Sequence, residues 1–222
     1  MKYKCLVLDH DDTVTDSTAH VHWPAFLEAM RQMRPGHSVT LQDYFRLNFD
    51  PGFLEYVVNE LHFTPEDLKK EEQIWDSFVQ THVPRVYPGM KKLILRFLAA
   101  GGHICVISHS LAHNIRRDYR ENGLPEPELV YGWEQPDGRR KPAAWPLEQV
   151  LEKLGLRPEE ALMVDDLKPG LDMALKCNVD FAAAMWAYDV KEIRDYMRAN
   201  CKNCFSAPEE LEAFVFDGEE EK

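Results

Sequence analysis

The amino-acid sequence predicts an α/β fold: a parallel sheet covered by helices on both faces, with a helical domain inserted after the first strand. Three observations carry this. Short apolar runs recur without polar alternation, the form taken by strands buried on both faces. Helical patterns that end at glycine separate those runs. From about residue 16 to residue 85 nothing reads as a strand, while helix-start signals repeat.

The first apolar run is Tyr3 to Leu8. His103 to Ile107, Leu129 to Tyr131, Ala161 to Val164 and Phe181 to Trp186 follow, five strands in all. Gly89 to Ala100 reads as a helix stopped by Gly101-Gly102, and Leu111 to Asn122 as a helix stopped by Gly123. A third helical run ends at Gly155. Strand and helix thus alternate, as in a parallel sheet joined by crossover helices. Within the strand-free stretch, Pro24 sits near a helix start and Pro35-Gly36 closes that helix. Thr40 to Asp43 and Thr64 to Asp67 have the form of capping boxes, with Asp in the acidic place. Trp23, Phe26, Leu27 and Met30 fall at helical spacing and read as a packing face. The expected domains are residues 1–15 and 86–222 for the core and 16–85 for the helical insertion, with crossings near Thr15 to Thr18 and His82 to Tyr87.

Composition narrows the function. A chain of 222 residues with 45% hydrophobic and 11% aromatic side chains buries a core, which excludes wholesale disorder. Of the net charge of −12, half lies in Glu209 to Lys222, where seven acids face one base. That run reads as a solvated tail. The remaining body is only mildly acidic, which argues against non-specific nucleic-acid binding. No stretch approaches the roughly 20 apolar residues of a membrane span, and the first residues reach Asp9 too soon for a secretory signal, so a cytoplasmic protein is expected. Cys201 and Cys204 form a lone CxxC with no second pair and no nearby histidine, a weak basis for zinc.

Four features carry chemistry. Leu6-Val7-Leu8 delivers Asp9-His10-Asp11-Asp12-Thr13 to the carboxyl end of a strand, where open α/β sheets place their ligands. Asp9 and Asp11 suit a divalent cation, or a nucleophile beside a general acid/base; an acidic loop capping a helix is the plainer alternative. Ser108, after a buried strand, could donate to an anionic oxygen or cap the helix that follows. Arg139-Arg140-Lys141 offers a compact cation for a phosphate group, or a basic surface loop. Asp165 and Asp166 end another apolar strand. Four carboxylates at one end of a sheet repel strongly unless a cation offsets them.

In this order the four features resemble the haloacid dehalogenase-like hydrolase superfamily, whose pattern runs strand-DxDGT, strand-Ser/Thr, Lys, strand-(G/D)D. The resemblance covers about residues 3 to 186, includes Val86-Tyr87-Pro88-Gly89, and is nearest to the phosphoglycolate phosphatase and β-phosphoglucomutase-like branch. It implies a Rossmann-like core with an α-helical C1 cap. It further implies that Asp9 attacks phosphorus, that Asp11 protonates the leaving oxygen and then activates water, and that Ser108 and Lys141 bind the transferring phosphoryl group. Mg²⁺ would be held by Asp9, the backbone carbonyl of Asp11 and Asp166, with Asp165 where glycine is common. His20, His22, Arg46 and Asn48 fall in cap segments that face the core in relatives. His20 and Arg46, with His109, are the candidate substrate contacts, although a surface or capping role suits the histidines as well. Asp11 disfavours a dehalogenase, which needs no acid there. The implied activity is a Mg²⁺-dependent phosphatase acting on a small phosphorylated metabolite; a phosphomutase and a phospho-ligand-binding module are the alternatives. Three positions depart from the pattern: Asp12 at the usual glycine, Gly170 where a second acid is frequent, and His109 where Asn is common.

Overall fold

The structure, a computed structural model, describes residues 1–217. The described chain divides into two compact units. One comprises Met1–Asp16, Arg85–Asp189 and the residues from Arg194 onward; the other comprises Ser17–Pro84 with Val190–Ile193.

The first unit is built on a six-stranded sheet, all parallel, in the order β3-β2-β1-β4-β5-β6. Its strands are β1 (Cys5–Leu8), β2 (His103–Ile107), β3 (Leu129–Tyr131), β4 (Ala161–Asp165), β5 (Asp180–Ala184) and β6 (Asn203–Phe205). Every residue of β1 is buried, because β1 is central in the sheet and its two faces are both covered. Leu6, Leu8, Leu93, Phe97, Ile104, Val106 and Leu162 share one apolar core. Each fully buried leucine contributes about 1.5–3 kcal/mol relative to exposure. The helices α5 (Pro88–Ala99), α6 (Ala112–Glu121) and α7 (Trp145–Leu154) end close to the glycines that mark them in the sequence. Gly101, Gly123 and Gly155 all have positive φ, the backbone that stops a helix at least cost to glycine.

Two features depart from the sequence expectation. β6 lies outside the five expected strands: it has three half-buried residues at the sheet edge, too few to show a period. Its middle residue, Cys204, is the second cysteine of the CxxC, with its thiol 3.8 Å from the Met197 carbonyl and 3.7 Å from that of Cys201. The acidic run is likewise not all tail, because α10 (Pro208–Phe216) buries Leu211, Val215 and Phe216 in the core. Its Glu212 is buried and paired with Lys92 and Arg96, both at 2.9 Å. Counting charges hid the apolar stripe between them. The end of that run, 218–222, lies outside the described residues.

The second unit is helical: a π-turn (Thr18–His22) runs into α1 (Trp23–Met33), followed by α2 (Leu41–Phe49), α3 (Phe53–Asn59) and α4 (Pro65–Thr81). Phe26, Met30, Tyr44, Tyr56, Val57 and Phe63 form its own core. Thr64 and Asp67 make a complete capping box; Thr40 Oγ1 accepts from the Asp43 amide and donates to Asp43 Oδ2 at 2.6 Å, while Asp43 Oδ1 accepts from Arg46. No helix among the described residues is long and apolar enough to cross a membrane.

Glu71 is buried on α4, and burial, followed by the charge of Glu72, pushes its carboxyl from 4.5 up to about 7. Below the unfolded value both states hold the proton and nothing is lost. As pH rises from 4.5 towards 7 only the unfolded chain releases it, so stability falls and stays lower above 7. Glu71→Gln is expected to match wild type near pH 4.5 and to exceed it at pH 8 by up to about 3 kcal/mol in urea denaturation. Equal stability of the two proteins at pH 8 would remove the buried charge as its cause.

Candidate active site

The register of the sheet brings the acids together. Leu8 of β1 pairs with Val106 of β2 and with Val164 of β4. One residue further along, Asp9 therefore stands beside Asp165, and the Asp9 amide extends the ladder by donating to the Val164 carbonyl at 2.9 Å. Asp9, Asp165 and Asp166 are all buried, and each offers an oxygen within 4.8 Å of the others.

Lys141 enters this cluster from the loop that follows β3. Its ammonium donates to Asp9 Oδ1 at 2.5 Å and to Asp165 Oδ2 at 2.7 Å, and its side chain is only 6% exposed. Surface lysines do not sit this way. Burial alone would depress the Lys141 pKa, but the charges of Asp165 and Asp9 outweigh it and hold the group protonated. Burial pushes the Asp165 carboxyl up to about 6, with Lys141 opposing and Asp9 adding to the rise. Asp166 is raised well above the usual carboxylate range by burial and then by the charges of Asp165, Asp9 and Asp12.

Asp11 stands apart from the three. Its Oδ2 accepts from Ser110 Oγ at 2.7 Å and from Ser108 Oγ at 3.4 Å. Ser108 does not cap the following helix: Glu134 Oε2 takes the first amide of α6, from Ala112, at 3.1 Å. The Ser108 hydroxyl, which accepts from the Ser110 amide, is thereby kept beside Asp11. His109 donates from Nε2 to the Lys141 carbonyl at 2.8 Å, so the loop after β2 and the loop after β3 are tied at the lysine itself. Although His109 reaches solvent, crowding around the ring and then the charge of Lys141 lower its pKa and favour the neutral imidazole.

A buried group of acids on one lysine, at the carboxyl ends of adjacent parallel strands, defines the site. A model of the haloacid dehalogenase-like hydrolase family matches residues 3–178, most of the chain. The chain belongs to the haloacid dehalogenase-like hydrolases. Solved structures of the same fold include a predicted phosphoglycolate phosphatase from Haemophilus somnus (14% identity, TM-score 0.79, covering 97% of this chain and 99% of that one). A haloacid dehalogenase-like family protein from Streptococcus pneumoniae is similar too (15% identity, TM-score 0.76, 96% and 99% covered). So is CbbY from Rhodobacter sphaeroides, solved with xylulose-(1,5)bisphosphate (17% identity, TM-score 0.71, 94% and 96% covered). At these identities the likeness speaks for the fold. No curated protein matches.

Within this hydrolase, the positions that depart from the family pattern have local explanations. Asp12 adopts the left-handed backbone, φ 58°, that glycine takes more easily, and its amide donates to the Thr15 carbonyl at 2.8 Å. At Gly170, on α8 (Lys168–Lys176), an added Cβ would lie 2.2 Å from Asp165 Oδ2. The side chain of Asp165 already occupies the space that a side chain at 170 would need.

The donor set suits Mg²⁺. It offers only carboxylate oxygens, three buried acids against one ammonium, and burial and repulsion that disfavour the full charge. Of the residues expected from sequence, the first unit brings together Asp9, Asp165, Asp166 and Lys141, with Asp11, Ser108 and His109 linked around them. His20 and Arg46 belong to the second unit. His20 is exposed on the π-turn, while Arg46 pairs with Asp43 at 2.8 Å and Glu192 at 3.4 Å. His22 accepts from Trp75 Nε1 at 3.0 Å, and Asn48 donates to the Tyr44 carbonyl.

Sequence reading missed four participants. Ser110 holds Asp11, Glu134 caps α6, and Tyr188 donates to Asp166 Oδ2 at 2.8 Å. His10, inside the acidic loop, is buried and meets Asp118 at 3.0 Å; Asp118 also accepts two hydrogen bonds from Arg117. Only the hydroxyl of Ser110 after Ser108 carried a local signal; the other three contacts join segments far apart in the chain.

Proposed function

We propose that this hydrolase is a Mg²⁺-dependent phosphatase that cleaves a small phosphomonoester through a phosphoryl group carried on Asp9. The observation that supports it best is the buried Lys141 ammonium bridging Asp9 Oδ1 and Asp165 Oδ2. With Oδ1 occupied by the lysine, Oδ2 of Asp9 is the attacking oxygen. It forms a bond to phosphorus as the ester oxygen leaves, and Asp11 supplies the proton that the leaving oxygen needs. Asp11, now a carboxylate, then takes a proton from the water that hydrolyses the acyl phosphate and releases inorganic phosphate. Ser108 and Lys141 bind the phosphoryl oxygens, where positioned donors stabilise the spreading charge of the transition state. Asp9, the Asp11 backbone carbonyl and Asp166 would hold the cation, with Asp165 beside it. When bound, Mg²⁺ neutralises phosphoryl charge and offsets the repulsion among these acids.

We assign selection of the leaving group to the helical unit as a cap, with His20 and Arg46 as its candidate contacts and His109 as one from the core. The test is phosphate release from a panel of small phosphorylated metabolites, with Mg²⁺ and with EDTA. Release that needs the metal and concentrates on a few compounds is expected. No release from any compound would overturn the phosphatase reading, and turnover that requires a bisphosphate primer would replace it with a mutase.

A further inference from the structure

The segment that leaves β5 reaches back to both acidic loops. Trp186 Nε1 donates to the Thr13 carbonyl at 3.2 Å. Two residues later the Tyr188 hydroxyl lies 2.8 Å from Asp166 Oδ2 and 3.3 Å from the Asp166 carbonyl. Thr13 Oγ1, on the facing loop, is 3.5 Å from Asp166 Oδ1, at the outer limit of a hydrogen bond. The two carboxylate oxygens of Asp166 are therefore unequal: Oδ2 is held by a short bond to the phenol, and Oδ1 carries only a weak contact.

A carboxylate rotates readily about its terminal torsion, because that torsion is broad. An acid that must present one oxygen to a cation loses affinity to this freedom unless its other oxygen is held. We infer that Tyr188 is a positioning residue for the cation site, donating to Asp166 Oδ2 so that Oδ1 faces the cluster with Asp9 and Asp165. The inference rests on the proposed cation at that cluster. Loss of an outer partner of this kind commonly weakens metal affinity or activity.

The test measures binding directly: Mn²⁺ titration followed by electron paramagnetic resonance, and Mg²⁺ titration calorimetry, on the full chain. Tyr188→Phe is expected to weaken both ions about 10- to 100-fold. Thermal melting should show it folded, and kcat at saturating Mg²⁺ should fall much less than the affinity. Replacing Tyr188 by p-aminophenylalanine keeps an N–H donor at the same place and should restore most of the affinity; it also decides the matter if the phenylalanine variant fails to fold. Unchanged affinity in Tyr188→Phe, or no recovery with a folded p-aminophenylalanine variant, would overturn the role of the hydroxyl. Absence of Mn²⁺ and Mg²⁺ binding to wild type would instead overturn the cation reading, and this inference with it. Asp166→Asn, expected to lose binding outright, marks the floor of the scale.

Discussion

Asp9→Asn is expected to reduce phosphate release by roughly 10⁴-fold or more while leaving the fold intact. The amide cannot attack phosphorus, so the step that Asp9 carries has no substitute. Stability should survive, because the asparagine carbonyl can still accept from Lys141, Lys141 keeps its bond to Asp165 at 2.7 Å, and the substitution relieves crowding among three acids. Phosphate release and urea denaturation on the same preparation test both halves. Wild-type turnover in this variant would remove Asp9 as the nucleophile. Asp11→Asn should differ in kind: attack remains possible on substrates whose leaving group needs no proton, but water is no longer activated. Intact mass spectrometry should then find protein carrying one phosphoryl group.

Gly170→Ala is expected to cost about 3–5 kcal/mol of stability and most of the activity, an effect far beyond that of a methyl group on a helix. The added Cβ would stand 2.2 Å from Oδ2, 2.4 Å from Cγ and 2.5 Å from Cβ of Asp165. Asp165 cannot simply swing aside. Its Oδ2 accepts from Lys141 at 2.7 Å and its Oδ1 from the Leu167 amide at 2.9 Å, beside the start of α8. Moving it leaves a buried ammonium with half its partners, and breaking a buried ion pair is among the costlier single changes. Adding Asp165→Gly should recover part of the stability, because the two positions compete for one space, and a double-mutant cycle would read that coupling. Denaturation of Gly170→Ala within about 0.5 kcal/mol of wild type would show that the site relaxes at little cost and would sink the argument.

The site was legible to the degree that single residues announce themselves at strand ends. Asp9, Ser108 and Asp165 each follow an apolar run directly, with Asp166 next in line, so period and position mark them without a structure. Lys141 was visible only as one base among three in a loop. Its burial depends on the His109 bond to its own carbonyl and on two acids more than twenty residues away in the chain. Glu209 to Phe216 shows the opposite failure: the acids are conspicuous, and the apolar positions 211, 215 and 216 that place the helix in the core are not.

The sequence by itself determined the fold class, the positions along the chain of five of the six strands, and the chemistry available at their ends, because burial on two faces and glycine stops are written locally. Only the tertiary structure decided which groups serve that chemistry together. The parallel register sets Asp9 beside Asp165, the long loop after β3 brings Lys141 between them, and the segment after β5 returns Tyr188 to Asp166. The hydrogen bonds of Lys141 to Asp9 and of Tyr188 to Asp166 alone join residues 132 and 22 apart in the chain, and no local pattern encodes a distance of that kind.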